Sequence, residues 1–600
     1  MPRWEQRHRA PTVSMPDWSP RAPDRVAYES TESGVWQVHC WEMPSGMRRR
    51  VTDHPVGVVA ASVSVDGADV LWWQDETGDE SGRWFAAPFA GGDARPFLEG
   101  IPIGWNEGFA QAPGVVAASV SDRDGFVVYV SIDGGPAKET FRSADWLRVS
   151  GSYEAGFNRG GLSADGSLLC LQHSEGSDQL HPALRVIDPI TAAVVADLRD
   201  EGKSLSTSAW SPVPGDGRLA VIHERGGEDA TALWEPATGT WTDLQTGLHG
   251  EVTAMDWWPD GSALLIANLV EGRHRLYRFD VSTSTLTPIE HPEGQISGAL
   301  VRPDGTVWLR WANGANAPRI LSDGGDEVVR PEGELAIGGR PYVSFRFDNP
   351  RKQSVHGFYA TPEGDGPFPV FVRPHGGPTW LDEDRWSPET QAYVDAGFAV
   401  AMINFRGSTG YGAAWRDALI GDIGGPELED LNAGLDWLVE QGIADPSRAV
   451  IGGWSWGGYL TLMELGKHPD LWLCGVAGIP VGDYEMGYAD LSPDLQAYDR
   501  ALLGGRPDEV PALMLDRNPI NFADDVRAPV LFIIGENDSR CPYAQAMAYV
   551  DRLATRGHPH EVYVFGTGHG SFDTDEEVRQ VRTILEFLAK HVPGIQVPTN

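Results

Sequence analysis

The 600-residue sequence predicts two unlike domains, an all-β array of short repeats followed by an α/β unit on a mostly parallel sheet. Three observations predict it. Asp-Gly pairs recur through the first half, each followed by a β-rich run. That rhythm stops near Gly338-Gly339-Arg340, after which apolar strand-like runs alternate with helical ones. One such run ends in Gly453-Trp454-Ser455-Trp456-Gly457, the pattern of a sharp strand-to-helix turn around a serine.

A chain this long exceeds one ordinary core, so two or more domains are expected. Hydrophobic content of 41% and charged content of 22% describe a soluble globular protein. The formal net charge of -38 argues against nucleic acid and against anionic membranes as partners. No apolar run approaches the roughly 18–20 residues of a membrane helix. The basic start, Arg3 to Arg9, leads into no apolar stretch, so no signal peptide is expected. Cys40, Cys170, Cys474 and Cys541 lie far apart and read as free thiols in a reducing compartment, which makes the cytoplasm the expected location.

Residues 1–16 form an N-terminal extension, and the repeats occupy 17–337. Asp66-Gly67, Asp124-Gly125, Asp165-Gly166, Asp216-Gly217, Asp260-Gly261 and Asp304-Gly305 are spaced by 58, 41, 51, 44 and 44 residues. Asp-Gly before a β-rich run marks a hairpin, because glycine accepts the positive φ that tight turns demand. Trp18-Ser19-Pro20 with Asp24-Arg25 supplies an earlier, degenerate copy. Seven units of this length, with four short strands each, predict a seven-bladed β-propeller; the alternative is one or two β-sandwiches. The histidines of this half show no metal-ligand spacing.

Residues 338–600 read as an α/β domain. Pro369–Val372, Phe398–Asn404, the run before Ser455, Cys474–Gly478, Val530–Ile534 and Val562–Phe565 are strand-like. Leu428, Leu431, Leu435, Leu438 and Val439 lie on one face of a helix between them. Three residues fall just past the carboxyl ends of strands, where such folds place their chemistry. They are Ser455, Asp538 and His569, in the chain order of an α/β-hydrolase. A serine hydroxyl needs an imidazole to take its proton, and the imidazole needs a carboxylate to fix its tautomer. The developing oxyanion needs donors as well. The Trp456 N–H follows the serine, and the Gly377 N–H in His375-Gly376-Gly377-Pro378 suits the second position.

These residues resemble the prolyl oligopeptidase family of serine peptidases, in its acylaminoacyl-peptidase-like branch. The matching pieces are His375–Pro378, Asn404–Gly412, Gly453–Tyr459, Asp538–Pro542 with Gln545, and Gly568-His569-Gly570. The resemblance implies a propeller capping a hydrolase, a site between them, and cleavage of short peptides without metal or cofactor. It also implies that Arg540 binds a substrate carbonyl, that Val481 and Tyr484 line the side-chain pocket, and that His375 belongs to the substrate site. Departures are Trp456 for the usual tyrosine, Cys541 for an aliphatic residue and Thr567 for an acidic one. No Glu-Glu pair is legible in the first half.

The expected function is a serine peptidase acting on short peptides or aminoacyl amides from the amino-terminal end. One alternative is a hydrolase of non-peptide esters or amides, such as aminoacyl derivatives of small toxic molecules. The other is a non-enzymatic interaction protein, against which the three ordered residues argue. The expected partner is a short peptide or aminoacyl small molecule, with a homo-oligomer left open.

Overall fold

The structure, a computed structural model, describes residues 1–150 and 159–599. In the first half, four-stranded antiparallel sheets span 17–50, 147–198, 205–243, 251–289 and 295–329. An eight-stranded sheet spans 59–143, in which one set of strands meets the next where Ser81 and Gly82 pair with Trp105 and Gly104. Each sheet is a meander whose neighbours in sequence are neighbours in space, so its hydrogen bonds are local. The first strands of these sheets converge on one cavity of about 480 Å³, lined among others by Trp18, Ala61, Ala110, Trp210, Trp257 and Val301. Sheets arranged radially about such an axis make a β-propeller. The aromatic content of this half is packing: Trp18 meets Trp308 edge-on at 5.4 Å, and Trp84 meets Phe109 at 4.2 Å.

Most Asp-Gly turns close the first hairpin of their sheet, as Asp66-Gly67 does between Val59–Val63 and Asp69–Asp75. Asp124-Gly125 differs, closing the hairpin between Val115–Asp122 and Gly125–Ile132, one strand later than its counterparts. The corresponding first turn there is Pro113-Gly114. That displacement accounts for the uneven steps on either side of residue 124.

The second half is an α/β-hydrolase fold. Its sheet contains β1 (Val343–Asp348), β2 (Ser354–Ala360), β3 (Phe368–Val372), β4 (Ala399–Asn404), β5 (Ala444–Trp454), β6 (Gly475–Gly478), β7 (Val530–Gly535) and β8 (His560–Phe565). The order is β1-β2-β4-β3-β5-β6-β7-β8, antiparallel at the β1 and β2 edge and parallel from β4 onward. The β1–β2 pair escaped the sequence reading, although Val343–Asp348 alternates apolar and polar residues and buries Phe345 and Phe347.

Both faces of the sheet are covered, as its continuous apolar strands require. On one face lie α3 (Pro426–Glu440), α4 (Trp456–Lys467) and α6 (Tyr543–Thr555), with Leu431, Leu460 and Leu553 fully buried. On the other lie α2 (Pro388–Ala396) and α7 (Thr574–His591), joined by α1 (Arg3–Arg9) from the start of the chain. Trp4 of α1 is completely buried there, and Arg7 pairs with Asp395 at 2.5 Å. Helix α1 is thereby part of the hydrolase core, whereas Val13 and Met15 of the same extension pack into the propeller. Helix α5 (Pro493–Leu503) stands apart, over the carboxyl ends of the strands.

The propeller meets the hydrolase through the turns of its second hairpins. Thr77 accepts a hydrogen bond from Asn537 at 3.0 Å, and Arg416 pairs with Glu224 at 2.7 Å. The Asp384 carboxylate accepts from the Gly314 N–H at 2.9 Å and pairs with Arg273 at 3.0 Å. Trp146 and Gln179 both donate to Asp494 on α5 at 2.7 and 2.8 Å. These contacts come from opposite sides of the ring, so the propeller sits over the strand ends as a cap.

Candidate active site

Ser455 occupies the turn between β5 and α4 with φ 57° and ψ -116°, a conformation non-glycine residues rarely hold. The flanking glycines make that turn physically possible. A Cβ on Gly453 would lie 2.5 Å from the Pro374 carbonyl oxygen, and one on Gly457 would lie 2.3 Å from the same atom. The strained turn lifts the serine out of the sheet while its own N–H donates to the Gly478 oxygen at 2.9 Å.

Asp538 follows β7 and is buried, with its side chain 1% exposed. Its Oδ1 accepts the backbone N–H groups of Arg540 and Cys541, each at 2.8 Å. His569 follows β8, and its Nδ1 lies 3.0 and 2.9 Å from the two Asp538 oxygens. The carboxylate therefore faces an Nδ1–H, which leaves Nε2 as the acceptor nitrogen of a neutral ring.

One cavity of about 400 Å³ gathers Ser455, His569, Gly377, Trp456, Val481, Tyr484, Arg540 and His375 at its wall, with Asp538 behind His569. Trp456 is the first residue of α4, so its N–H has no intrahelical acceptor and points from the positive end of the helix dipole. Gly377 has φ 119°, and a Cβ there would lie 2.8 Å from the Thr379 nitrogen. The neighbouring Gly376 approaches to within 3.7 Å of Ser455 Cβ from its own ideal Cβ position. Trp456 packs on Tyr459 and Tyr484 at 4.6 and 6.4 Å, making an aromatic wall.

His375 departs from the expectation of a substrate ligand. Its Nδ1 lies 2.7 Å from the Gly376 oxygen, its Nε2 lies 2.8 Å from Ser408 Oγ, and its ring stacks on Phe405 at 4.1 Å. Both nitrogens are engaged within the protein and burial lowers its pKa, so it braces the Gly376-Gly377 loop as a neutral ring.

Arg540 reaches across the domain boundary. Its guanidinium pairs with Glu80 of the propeller at 2.5 Å, and Ser539 Oγ donates to the same carboxylate at 3.1 Å. Burial works to raise the Glu80 pKa, but Arg540, with His569 beyond it, outweighs burial and holds the carboxyl below its ordinary value. Glu80 escaped the sequence reading because it lies 460 positions from Arg540 and belongs to an acidic hairpin like many others.

The Cys541 thiol lies beside Ser455, and burial pushes its pKa well above the ordinary value. Donor atoms of Asp538, Cys541 and His569 lie within 4.8 Å of one another, as do those of His181, Glu224 and Asp417 at the domain boundary. Either group has metal-compatible spacing, yet Asp538 and His569 are occupied by each other and Glu224 by Arg416. Chemically, the cavity offers a serine hydroxyl and an imidazole with an acceptor nitrogen, flanked by a helix start and a glycine loop.

The sequence profile of the prolyl oligopeptidase family matches residues 385–594. The dipeptidyl aminopeptidase BIII of Pseudoxanthomonas mexicana is 26% identical over 447 residues, 73% of this chain and 60% of that protein. The acylamino-acid-releasing enzyme of Sus scrofa is 31% identical over 231 residues, 37% of this chain and 31% of that protein. The chain thus spans less than two thirds of the length of these curated relatives. A Mycobacterium tuberculosis puromycin-hydrolyzing peptidase superposes with a TM-score of 0.81 at 20% identity, covering 99% of this chain and 96% of its own. A Pyrococcus horikoshii acylaminoacyl peptidase does so with a TM-score of 0.73 at 17% identity, covering 99% and 98%. At these identities the structural likeness is one of fold.

Proposed function

We propose that the chain, whose residues 385–594 match the prolyl oligopeptidase family, is a serine peptidase hydrolysing short peptides or aminoacyl amides from the amino-terminal end. The observation that carries the reading is the hydrogen-bonded Asp538–His569 pair sharing a cavity with Ser455 on its strained turn.

In this reading Ser455 Oγ attacks the scissile carbonyl carbon while His569 Nε2 takes the hydroxyl proton. Asp538 stabilises the imidazolium, and the N–H groups of Trp456 and Gly377 bind the oxyanion. Collapse of the tetrahedral intermediate breaks the C–N bond, with the proton on Nε2 passing to the leaving amine. Water then enters, gives a proton to Nε2 and attacks the acyl-enzyme. The free acid leaves as Ser455 regains that proton. Val481 and Tyr484 wall the pocket for the side chain beside the scissile bond. Arg540, anchored by Glu80, holds a substrate carbonyl.

The reading extends to the architecture. The eight-stranded sheet counts as two blades joined edge to edge, which makes seven blades in residues 17–337. The hydrolase then occupies 338–600, with helix α1 of the extension 1–16 docked on it. Four buried free cysteines support a cytoplasmic location. Among the described residues, no helix is long and apolar enough to cross a membrane.

A second reading, hydrolysis of aminoacyl amides of non-peptide molecules, is favoured by the likeness to a structure named as a puromycin-hydrolyzing peptidase. The same three residues serve both reactions. The test is fluorophosphonate labelling together with a panel of free and acylated aminoacyl p-nitroanilides, aminoacyl amides of non-peptide amines and p-nitrophenyl esters. Ser455 should carry the label, and Ser455→Ala should lose turnover. A label on another serine, or activity retained in Ser455→Ala, refutes the mechanism.

A further inference from the structure

We propose that Asp499 makes the pocket beside the scissile bond a subsite for a cationic side chain, so that the enzyme cleaves after lysine or arginine. This rests on the peptidase reading above and specifies its substrate.

Asp499 lies on α5 and is 7% exposed, yet it lines the same cavity as Ser455. Among the described residues no side chain or backbone group hydrogen-bonds or ion-pairs with its carboxyl. Its oxygens are not among the sealed side-chain atoms, so the partnerless carboxyl opens onto the cavity, where a substrate group can reach it. The groups around it supply no counter-charge. Tyr498 directs its hydroxyl to Thr379 at 2.8 Å. Tyr484, Tyr488 and Cys541 also feel the Asp499 charge, or feel it in part, and burial raises the pKa of each of them. All stay neutral near pH 7, so the field at the carboxyl is uncompensated. Burial alone pushes the Asp499 pKa up to about 7.

Its position ties it to the side-chain pocket. Asp499 acts on Tyr484 and on Cys541, and Cys541 is hydrogen-bonded to Ser455. The carboxyl therefore belongs to the neighbourhood of the nucleophile, on the wall of the cavity that holds Ser455. Trp456, Tyr484 and Tyr498 line the same cavity, and aromatic faces attract an ammonium or guanidinium as a carboxylate does. A net charge of -38 raises the local concentration of cationic substrates as well. A neutral apolar side chain in this pocket would shield the carboxyl from water without giving it a partner. A lysine or arginine supplies the missing partner.

The test compares hydrolysis of Lys-, Arg- and Phe-p-nitroanilide at about pH 8, where the carboxyl is ionised, with calorimetric binding of benzamidine and of neutral benzamide. The wild type should favour Lys and Arg over Phe by about tenfold or more, and Asp499→Asn should cut that ratio by about thirtyfold or more, mostly through KM. Benzamidine should bind the wild type at least about tenfold more tightly than Asp499→Asn, with benzamide binding the two alike. A wild-type preference for Phe, or benzamidine binding indifferent to Asp499→Asn, overturns the proposal. Should the variant not fold, the wild-type substrate ratio and the benzamidine-to-benzamide comparison decide it. Failure of the peptidase reading looks different: Ser455 stays unlabelled and no p-nitroanilide is cleaved, while benzamidine binding still decides the subsite.

Discussion

Replacing Asp538 by asparagine is the most informative single perturbation, because the structure dictates how the new side chain must sit. Oδ1 receives two backbone N–H groups at 2.8 Å, from Arg540 and Cys541. An asparagine must keep its oxygen there, since turning its NH2 toward those donors would leave two buried N–H groups facing a third donor. Its NH2 then occupies the place of Oδ2, 2.9 Å from His569 Nδ1. Nδ1 can meet that donor only as an acceptor, so the ring proton moves to Nε2 and the imidazole can no longer take the Ser455 proton. The shape of the site is kept and the tautomer is wrong, a change worth about 10⁴-fold in kcat, or about 5.4 kcal/mol of barrier. The assay is kcat on the best aminoacyl p-nitroanilide, with circular dichroism and a thermal melt to show that the fold is retained. A loss within about tenfold would refute the assignment of Asp538 as the residue that sets the His569 tautomer.

Further predictions concern the domain boundary. Arg540→Ala should lower kcat/KM on peptide amides by about 1.5–3 kcal/mol, the worth of a hydrogen bond to a charged group. Glu80→Gln should cost less, about 0.2–1 kcal/mol, because the pair is about a third exposed and screened by salt; equal losses in the two variants would show that Arg540 acts only as a tether. The His181 pKa is raised to about 9, chiefly by its hydrogen bonds to Asp178 and then to Asp417 of the hydrolase. A raised histidine stabilises the docked form fully below its ordinary value of 6.5 and loses that contribution as pH rises through about 9. Melting should therefore fall between neutral and alkaline pH, and His181→Ala should flatten that dependence. Casein and folded proteins should be cut far more slowly than short peptides, since the propeller contacts surround the site; efficient casein digestion would show an open cleft.

Much of this organisation is legible in the residues, for identifiable reasons. The turn at Ser455 announces itself because its glycines are forced by backbone contacts under 3 Å, and forced residues leave a pattern. Most Asp-Gly turns are legible because a positive φ restricts the choice at Gly67, Gly125, Gly166, Gly261 and Gly305, though not at Gly217. Position 124 shows the limit, since a turn signal marks a hairpin without saying which hairpin of a sheet it closes. Glu80 and Asp499 were not legible. One owes its role to a partner in another domain, and the other to the absence of any partner, a property that only burial reveals. The engagement of both His375 ring nitrogens, by Gly376 and Ser408, was not legible either, since it depends on a loop 33 positions away.

Helix α1 places a hydrolase element ahead of the entire propeller. Trp4 is fully buried against α2 and α7, Glu5 pairs with Arg582 at 3.0 Å, and Trp4 Nε1 donates to the Pro598 oxygen at 3.3 Å. Two of these partners, Arg582 and Pro598, lie 577 and 594 positions further along the chain. At a synthesis rate of about 5–20 residues per second, the seven residues of α1 wait roughly half a minute to two minutes outside the ribosome before α7 appears. The propeller, whose contacts are local, can close during that interval. The hydrolase cannot, since one covering helix precedes the propeller in the chain and another follows it. The order of synthesis thus makes the propeller a completed surface onto which the catalytic domain assembles, and makes the first nine residues the final piece to be seated.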